Sequence, residues 1–227
     1  MKKTTYILTL FFLFQMAQAQ IHEIGVFAGG SNFIGDVGKT NYIAPNQPAF
    51  GILYKWNKSP RYSWRFSATM SKVKANDADS DLNSRQERGL AFENTITEFS
   101  AGFEFNFFDF NQHESGFIST PYIYTGLSYF TSDNLYVVNK KYYSDDQSGK
   151  IALPIIGGLK MKIADHFVLG LEAGARYTFT DDIDGSLPKD GDLDSFKFGN
   201  TNSKDWYVFT GATLTYTFGN KPCYCKE

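Results

Sequence analysis

The sequence predicts an all-β fold, an eight-stranded antiparallel transmembrane β-barrel of the outer-membrane type. Three observations carry that reading: a two-sided residue alternation that recurs along the chain, an amino-terminal export signal, and connections that alternate between short and long. Between Phe167 and Phe179, the larger residues Phe167, Leu169, Leu171, Ala173, Ala175, Tyr177 and Phe179 alternate with Val168, Gly170, Glu172, Gly174, Arg176 and Thr178. A soluble strand would present Lys, Glu and Thr to water on its second face. Here that face is rich in glycine and carries one acid and one base, as the crowded polar lumen of a small barrel requires.

The same code recurs in the other segments. Trp206, Val208, Ala212, Leu214, Tyr216 and Phe218 form one face of the last segment, opposite Tyr207, Phe209, Gly211, Thr213, Thr215 and Thr217. Ile151, Leu153, Ile155, Leu159, Met161 and Ile163 oppose Ala152, Pro154, Gly158, Lys160 and Lys162. Phe99, Ala101, Phe103, Phe105 and Phe107 oppose Glu98, Ser100, Gly102, Glu104 and Asn106. Strands are expected at 21–30, 48–57, 61–74, 91–107, 119–131, 150–164, 166–180 and 205–219, an even number as bacterial barrels have. Residues 57–60 and 164–165 read as tight turns and 109–119 as a medium connection, whereas 31–47, 75–90, 132–149 and 181–204 read as long polar loops. Short connections face the periplasm in such barrels, so both mature termini are expected there.

Lys2 and Lys3 precede an apolar run from Tyr6 to Phe14, and Ala17-Gln18-Ala19 offers a small-x-small cleavage site. Residues 1–19 therefore read as a secretory signal peptide, 20–219 as the barrel and 220–227 as a periplasmic tail. The apolar run of roughly nine residues is far short of the ~20 a spanning helix needs, so membrane crossing must be by strands. Strands in lipid must close on themselves to satisfy their backbone groups. Aromatic residues make up 17% of the chain, enough for girdles at both interfaces. The net charge of −2, falling to −4 with the loss of Lys2 and Lys3, gives no support to nucleic-acid binding.

An eight-stranded barrel is just wide enough inside for its own side chains, so the lumen should be plugged. Arg65, Glu98, Glu104, Lys160, Lys162, Glu172 and Arg176 fall on the inward phase and are expected to pair across it, because unpaired buried charges cost several kcal/mol each. The histidines, His22, His113 and His166, sit near strand ends without metal-ligand spacing, and no Ser-His-Asp arrangement is evident. The chain is therefore read as non-enzymatic, with no cofactor and no small-molecule substrate. Asp77, Asp79 and Asp81 alternate in one loop, and Asp181, Asp182, Asp184, Asp190, Asp192 and Asp194 crowd another. Alternating carboxylates make Asp77, Asp79, Asp81, Asp182 and Asp184 candidate calcium ligands, but neither loop completes an EF-hand, and solvated acidic loops are the expectation. The two cysteines, Cys223 and Cys225, lie in the tail of an exported chain. A bond between them would close a small strained ring; the open alternatives are a cysteine on a periplasmic partner or a soft metal.

Several runs also carry a family resemblance. These are His22 to Phe27, Gly29 to Asp36, Pro45-Asn46, Pro48 to Gly51, Tyr54 to Asn57, Trp64 to Phe66, Asn76-Asp77 with Asp79 to Asp81, and Glu98 to Phe108. Together they resemble the PorG-like proteins of the Bacteroidetes, most densely over the first half of the mature chain. The resemblance implies an outer-membrane component of the type IX secretion system, associated with a periplasmic ring of PorK lipoprotein and PorN, and serving motility in gliding members. A PorK-like lipoprotein would then be the partner for Cys223 or Cys225. An independent small barrel acting as adhesin, weak pore or membrane stabiliser is the alternative.

Overall fold

The computed structural model describes residues 21–112, 116–187, 195–200 and 203–219. Eight strands run in chain order: β1 (Ile21–Ile34), β2 (Gln47–Ser59), β3 (Tyr62–Asn76), β4 (Ala91–Asn106), β5 (Ser119–Val138), β6 (Lys141–Ala164), β7 (Phe167–Thr178) and β8 (Trp206–Phe218). Each pairs antiparallel with its neighbours, and β1 pairs with β8 from His22↔Phe218 to Ile34↔Trp206, closing the barrel. A short helix, α1 (Asn83–Arg88), lies between β3 and β4 and ends at Gly89, whose φ of 68° is the left-handed cap that glycine accepts.

The alternation sets the wall. In β2, Phe50 and Ile52 point outward at 62% and 64% exposure while Leu53 and Lys55 are buried. Ile24, Val26, Phe66, Met70, Phe99, Leu127, Ile151, Ile155 and Leu171 continue this outward apolar surface around the barrel. So continuous a belt would be insoluble in water and is the surface a bilayer's hydrocarbon covers, which places the protein in the outer membrane. No helix among the described residues is long and apolar enough to cross a membrane.

Two features differ from the sequence expectation. Residues 132–149 are not a loop. They extend β5 and β6 into a tall hairpin that turns at Asn139 and Lys140, whose φ angles of 50° and 64° are the two positive values a type I′ turn needs. Polar residues dominate this stretch because it stands clear of the lipid, so the apolar half of the code is missing there. The connection at 75–90 is likewise organised, with a 3₁₀ turn at Asp77–Asp79 before α1. The other strand ends match within a few residues. The signal peptide, His113, Asp190, Asp192, Asp194, Cys223 and Cys225 lie outside the described residues.

The interior is layered. Toward the end with short turns it is filled by charged and polar side chains. Toward the end with long connections it is an apolar cluster that includes Phe33, Val37, Val73, Leu90, Phe92, Ile96, Phe130, Leu135, Ile183 and Phe209.

Candidate functional site

Seven charges read as inward from the sequence are all buried inside the barrel, and they form two groups and one outlier. The first group centres on Glu104 of β4. Its Oε1 accepts from Lys55 Nζ at 2.9 Å and Lys160 Nζ at 2.7 Å, and its Oε2 lies 3.6 Å from Arg65 Nη1. Arg65 of β3 also grips Glu172 of β7 with two parallel hydrogen bonds of 2.7 and 2.8 Å, the strongest geometry for this ion pair. Tyr122 donates to the same Glu172 at 2.5 Å. Cross-strand glycines make room for these large groups. Gly102 pairs with Arg65, Gly158 and Gly211 flank Glu172, and Gly170 pairs with Lys160. A Cβ on Gly158 would come within 2.6 Å of the Tyr122 ring.

The second group lies higher. Arg176 of β7 donates to Glu98 of β4 at 3.1 and 3.3 Å, and Tyr207 donates to Glu98 at 2.6 Å. The Tyr124–Ser100 hydrogen bond, with Arg65 over the Tyr124 ring, lies beside both groups. Lys162 is the outlier: it donates to the Gln112 carbonyl at 3.1 Å near the turn end.

Sequence reasoning missed Lys55, Glu23, Tyr122 and Tyr207. The signal was present for Lys55, which shares the inward phase of Leu53 and Asn57 between the outward Tyr54 and Trp56. Glu23 is fully buried and accepts from Asn57 at 2.8 Å, Thr215 at 2.6 Å and Gln112 at 2.5 Å. Gln112 comes from the 107–118 connection, whose Phe110 is also buried, under Lys160. Phe110 and Gln112 therefore fill the turn end of the lumen, a role that a connection of mixed Phe and polar residues did not announce.

The loop end is closed by packing between connections. Asp77, fully buried, accepts from the amides of Gly38 and Leu90 at 3.0 Å and from Arg88 at 2.8 and 2.9 Å. Arg88 also donates to the Asp36 carbonyl at 2.6 Å, and Arg85 to the Gly38 carbonyl at 2.7 Å. Burial alone would raise the Asp77 pKa, but these donors hold it below the ordinary carboxylate value. Asn94 binds the carbonyls of Asp133 and Ile183, both at 2.9 Å, tying the 179–187 turn to the wall.

The expectation of solvated acidic loops is corrected here. Asp77, Asp181, Asp182, Asp184 and Asp205 are buried because neighbouring connections fold over them, a long-range effect invisible in a local run of aspartates. Asp79 and Asp81 are exposed. Among the described residues, no group of three or more His, Cys, Asp or Glu side chains is placed to hold a metal ion, so the candidate calcium ligands do not assemble. His22 stacks on Tyr54 and Phe218, and His166 lies tilted against Tyr216, at the rim of the turn end.

Among the described residues, ion pairs fill the lumen and connections pack over both of its ends. Reconstituted in planar bilayers, the barrel should show no large steady conductance; a stable open channel would mean that the lumen admits water and ions.

Solved structures similar to this chain include Ail, the attachment invasion locus protein of Yersinia pestis, at 10% identity and TM-score 0.47, covering 88% of this chain and 99% of that one. The outer membrane protein OprG from Pseudomonas aeruginosa gives 9% identity and TM-score 0.44, covering 89% and 97%. Neisserial surface protein A gives 10% identity and TM-score 0.42, covering 88% and 95%. No curated relative matches the chain. A family model described as a domain of unknown function, DUF6089, matches residues 2–227, and this outer-membrane barrel belongs to that family.

Proposed function

We propose that the protein is a non-enzymatic, PorG-like component of the type IX secretion system, anchoring a periplasmic PorK/PorN-type ring to the outer membrane. The observation that carries this reading is the ion-paired lumen. A barrel whose described interior is occupied by its own side chains leaves its surfaces as the parts best placed to act. The resemblance over the first half of the mature chain supplies which surface and which system. β1 begins and β8 ends at the short-turn end, the end that faces the periplasm in bacterial barrels. Residues 220–227 follow β8 in the sequence, and Cys223 or Cys225 would then be the link to a PorK-like lipoprotein.

The tall hairpin at the loop end favours a second reading, an independent barrel that contacts other surfaces from outside the cell. Gene deletion separates the two. Loss of the secretion component should leave type IX cargo inside the cell while general outer-membrane composition stays intact. Truncation after Gly219 should reproduce the defect, and changes in the outer loops should matter less. Normal cargo export in the deletion strain would give the case to the independent barrel.

A further inference from the structure

Among the described residues, three carboxylates around the 179–187 turn, Asp181, Asp184 and Asp205, are short of partners. Asp181 is 1% exposed and Asp184 and Asp205 are 0% exposed. Among the described residues, neither Asp181 oxygen nor Asp205 Oδ1 has a hydrogen-bond donor. Among the described residues, the hydrogen bonds to their other oxygens come from backbone amides. Asp184 accepts from Asp36 and Ser186, both at 3.0 Å, and Asp205 from Ile183 at 2.9 Å. Asp36 joins them from the β1–β2 connection, its own Oδ2 accepting from Asn200 at 2.8 Å.

The surrounding charges do not balance this cluster. Lys204 acts on Asp181, and Arg88 on α1 is close enough to act on Asp184, but Arg88 is already committed to Asp77. Lys150 on β6 is bound to Asp182 at 2.8 Å, and Tyr142 on the same strand is near Asp184 and contributes no positive charge. Several carboxylates cannot all stay ionised away from water beside one another, and protons are the simplest way to neutralise them.

We propose that Asp181, Asp184 and Asp205 form a proton-operated latch: protonated, they keep the 179–187 turn seated on the barrel mouth, and ionised, they lift it. The cost of ionisation would fall on the seat, where Ile183 is fully buried in the apolar cluster and its carbonyl is held by Asn94. Burial first, then repulsion from neighbouring carboxylates, pushes Asp181 up to about 7. Burial also pushes Asp184 up to about 6 and Asp205 well above the ordinary range. The seated form thus binds protons more tightly than the lifted form. Its advantage is complete below the ordinary carboxylate value of about 4 and is lost as pH rises toward about 7.

The test is hydrogen exchange of the 181–187 amides in the full chain in lipid nanodiscs, corrected for the intrinsic pH dependence of exchange. Protection should fall at least about tenfold between about pH 4.5 and pH 8. Amides of Glu98 to Glu104 in the wall serve as the reference and should not change. An Asp181→Asn, Asp205→Asn double variant, which mimics the protonated pair, should keep its protection at the higher pH. Should the double variant fail to give a heat-modifiable barrel, Asp181→Asn alone, which removes no hydrogen bond, should retain part of it. Wild-type protection that is flat with pH, or variants that lose it as the wild type does, would overturn the latch. Protection regained at the higher pH on adding millimolar calcium, and lost to a chelator, would overturn it in favour of a cation.

Discussion

Glu104→Leu should destabilise the barrel by about 3–5 kcal/mol, because the substitution strands buried cations rather than removing a single contact. Lys55 and Lys160 are 2% and 1% exposed and both bind this carboxylate, with Arg65 close behind. Arg65 keeps Glu172, so the loss falls on the two lysines. Their remaining close contacts would be the Tyr122 ring at 5.3 and 5.6 Å and, for Lys160, Phe110 at 4.9 Å, with the Glu23 carboxylate acting on both from farther away. Cation–π contacts are worth about 0.5–2 kcal/mol and do not replace a paired carboxylate. Urea unfolding in detergent, followed by tryptophan fluorescence, should show a lower midpoint with little change in slope. The outer pair Lys72–Glu93 is the control: it is equally short at 2.7 Å, but its side chains are 54% and 45% exposed. Glu93→Ala should shift stability by no more than about 1 kcal/mol. A Glu104→Leu midpoint equal to that of the wild type would mean that water already reaches the lysines and that the lumen is open.

The barrel was legible in the sequence because lipid favours an apolar residue at every second position, as at Phe50, Ile52, Tyr54 and Trp56 in β2 and Phe99, Ala101, Phe103 and Phe105 in β4. The same phase placed Arg65, Glu98, Glu104, Lys160, Lys162, Glu172 and Arg176 inside before any contact was known. What the sequence withheld depends on distant parts of the chain. The hairpin above Ser132 loses the code once it leaves the lipid, although Leu135, Val137 and Tyr142 still join the apolar cluster. Gln112 becomes part of the lumen because β1 brings Glu23 to it across 89 residues of chain. The buried aspartates mislead in the same way, since their burial comes from connections that meet only after closure.

Asp77→Ala should cost about 3 kcal/mol and should loosen the loop end while leaving the wall intact. The side chain is the common acceptor for the β1–β2 connection through Gly38, for the residue leading into β4 through Leu90, and for α1 through Arg88. Its removal leaves two buried amides without an acceptor and takes from the Arg88 guanidinium its charged partner, leaving it the Asp36 carbonyl; an unsatisfied buried donor costs about 1–3 kcal/mol, more where charge is involved. α1 has only six residues and no side-chain N-cap, so it cannot persist by itself. Proteolysis should therefore cut first within 77–90 in the variant, and the protease-resistant remainder should still migrate as a heat-modifiable barrel. The pH dependence runs opposite to that of the Asp181 cluster. Asp77 has its pKa lowered in the folded state, so its contribution is fully present above the ordinary carboxylate value of about 4 and is lost as pH falls below it. Asp181 and its neighbours favour closure at acid pH, and Asp77 requires that the pH not fall too far. The loop end of the wild type should accordingly be most protected in the window between the two transitions. Asp77→Ala should abolish the acid-side loss and keep the loss on the neutral side. A variant whose proteolysis pattern and acid-side profile match those of the wild type would show that the connections are held by their apolar cluster alone.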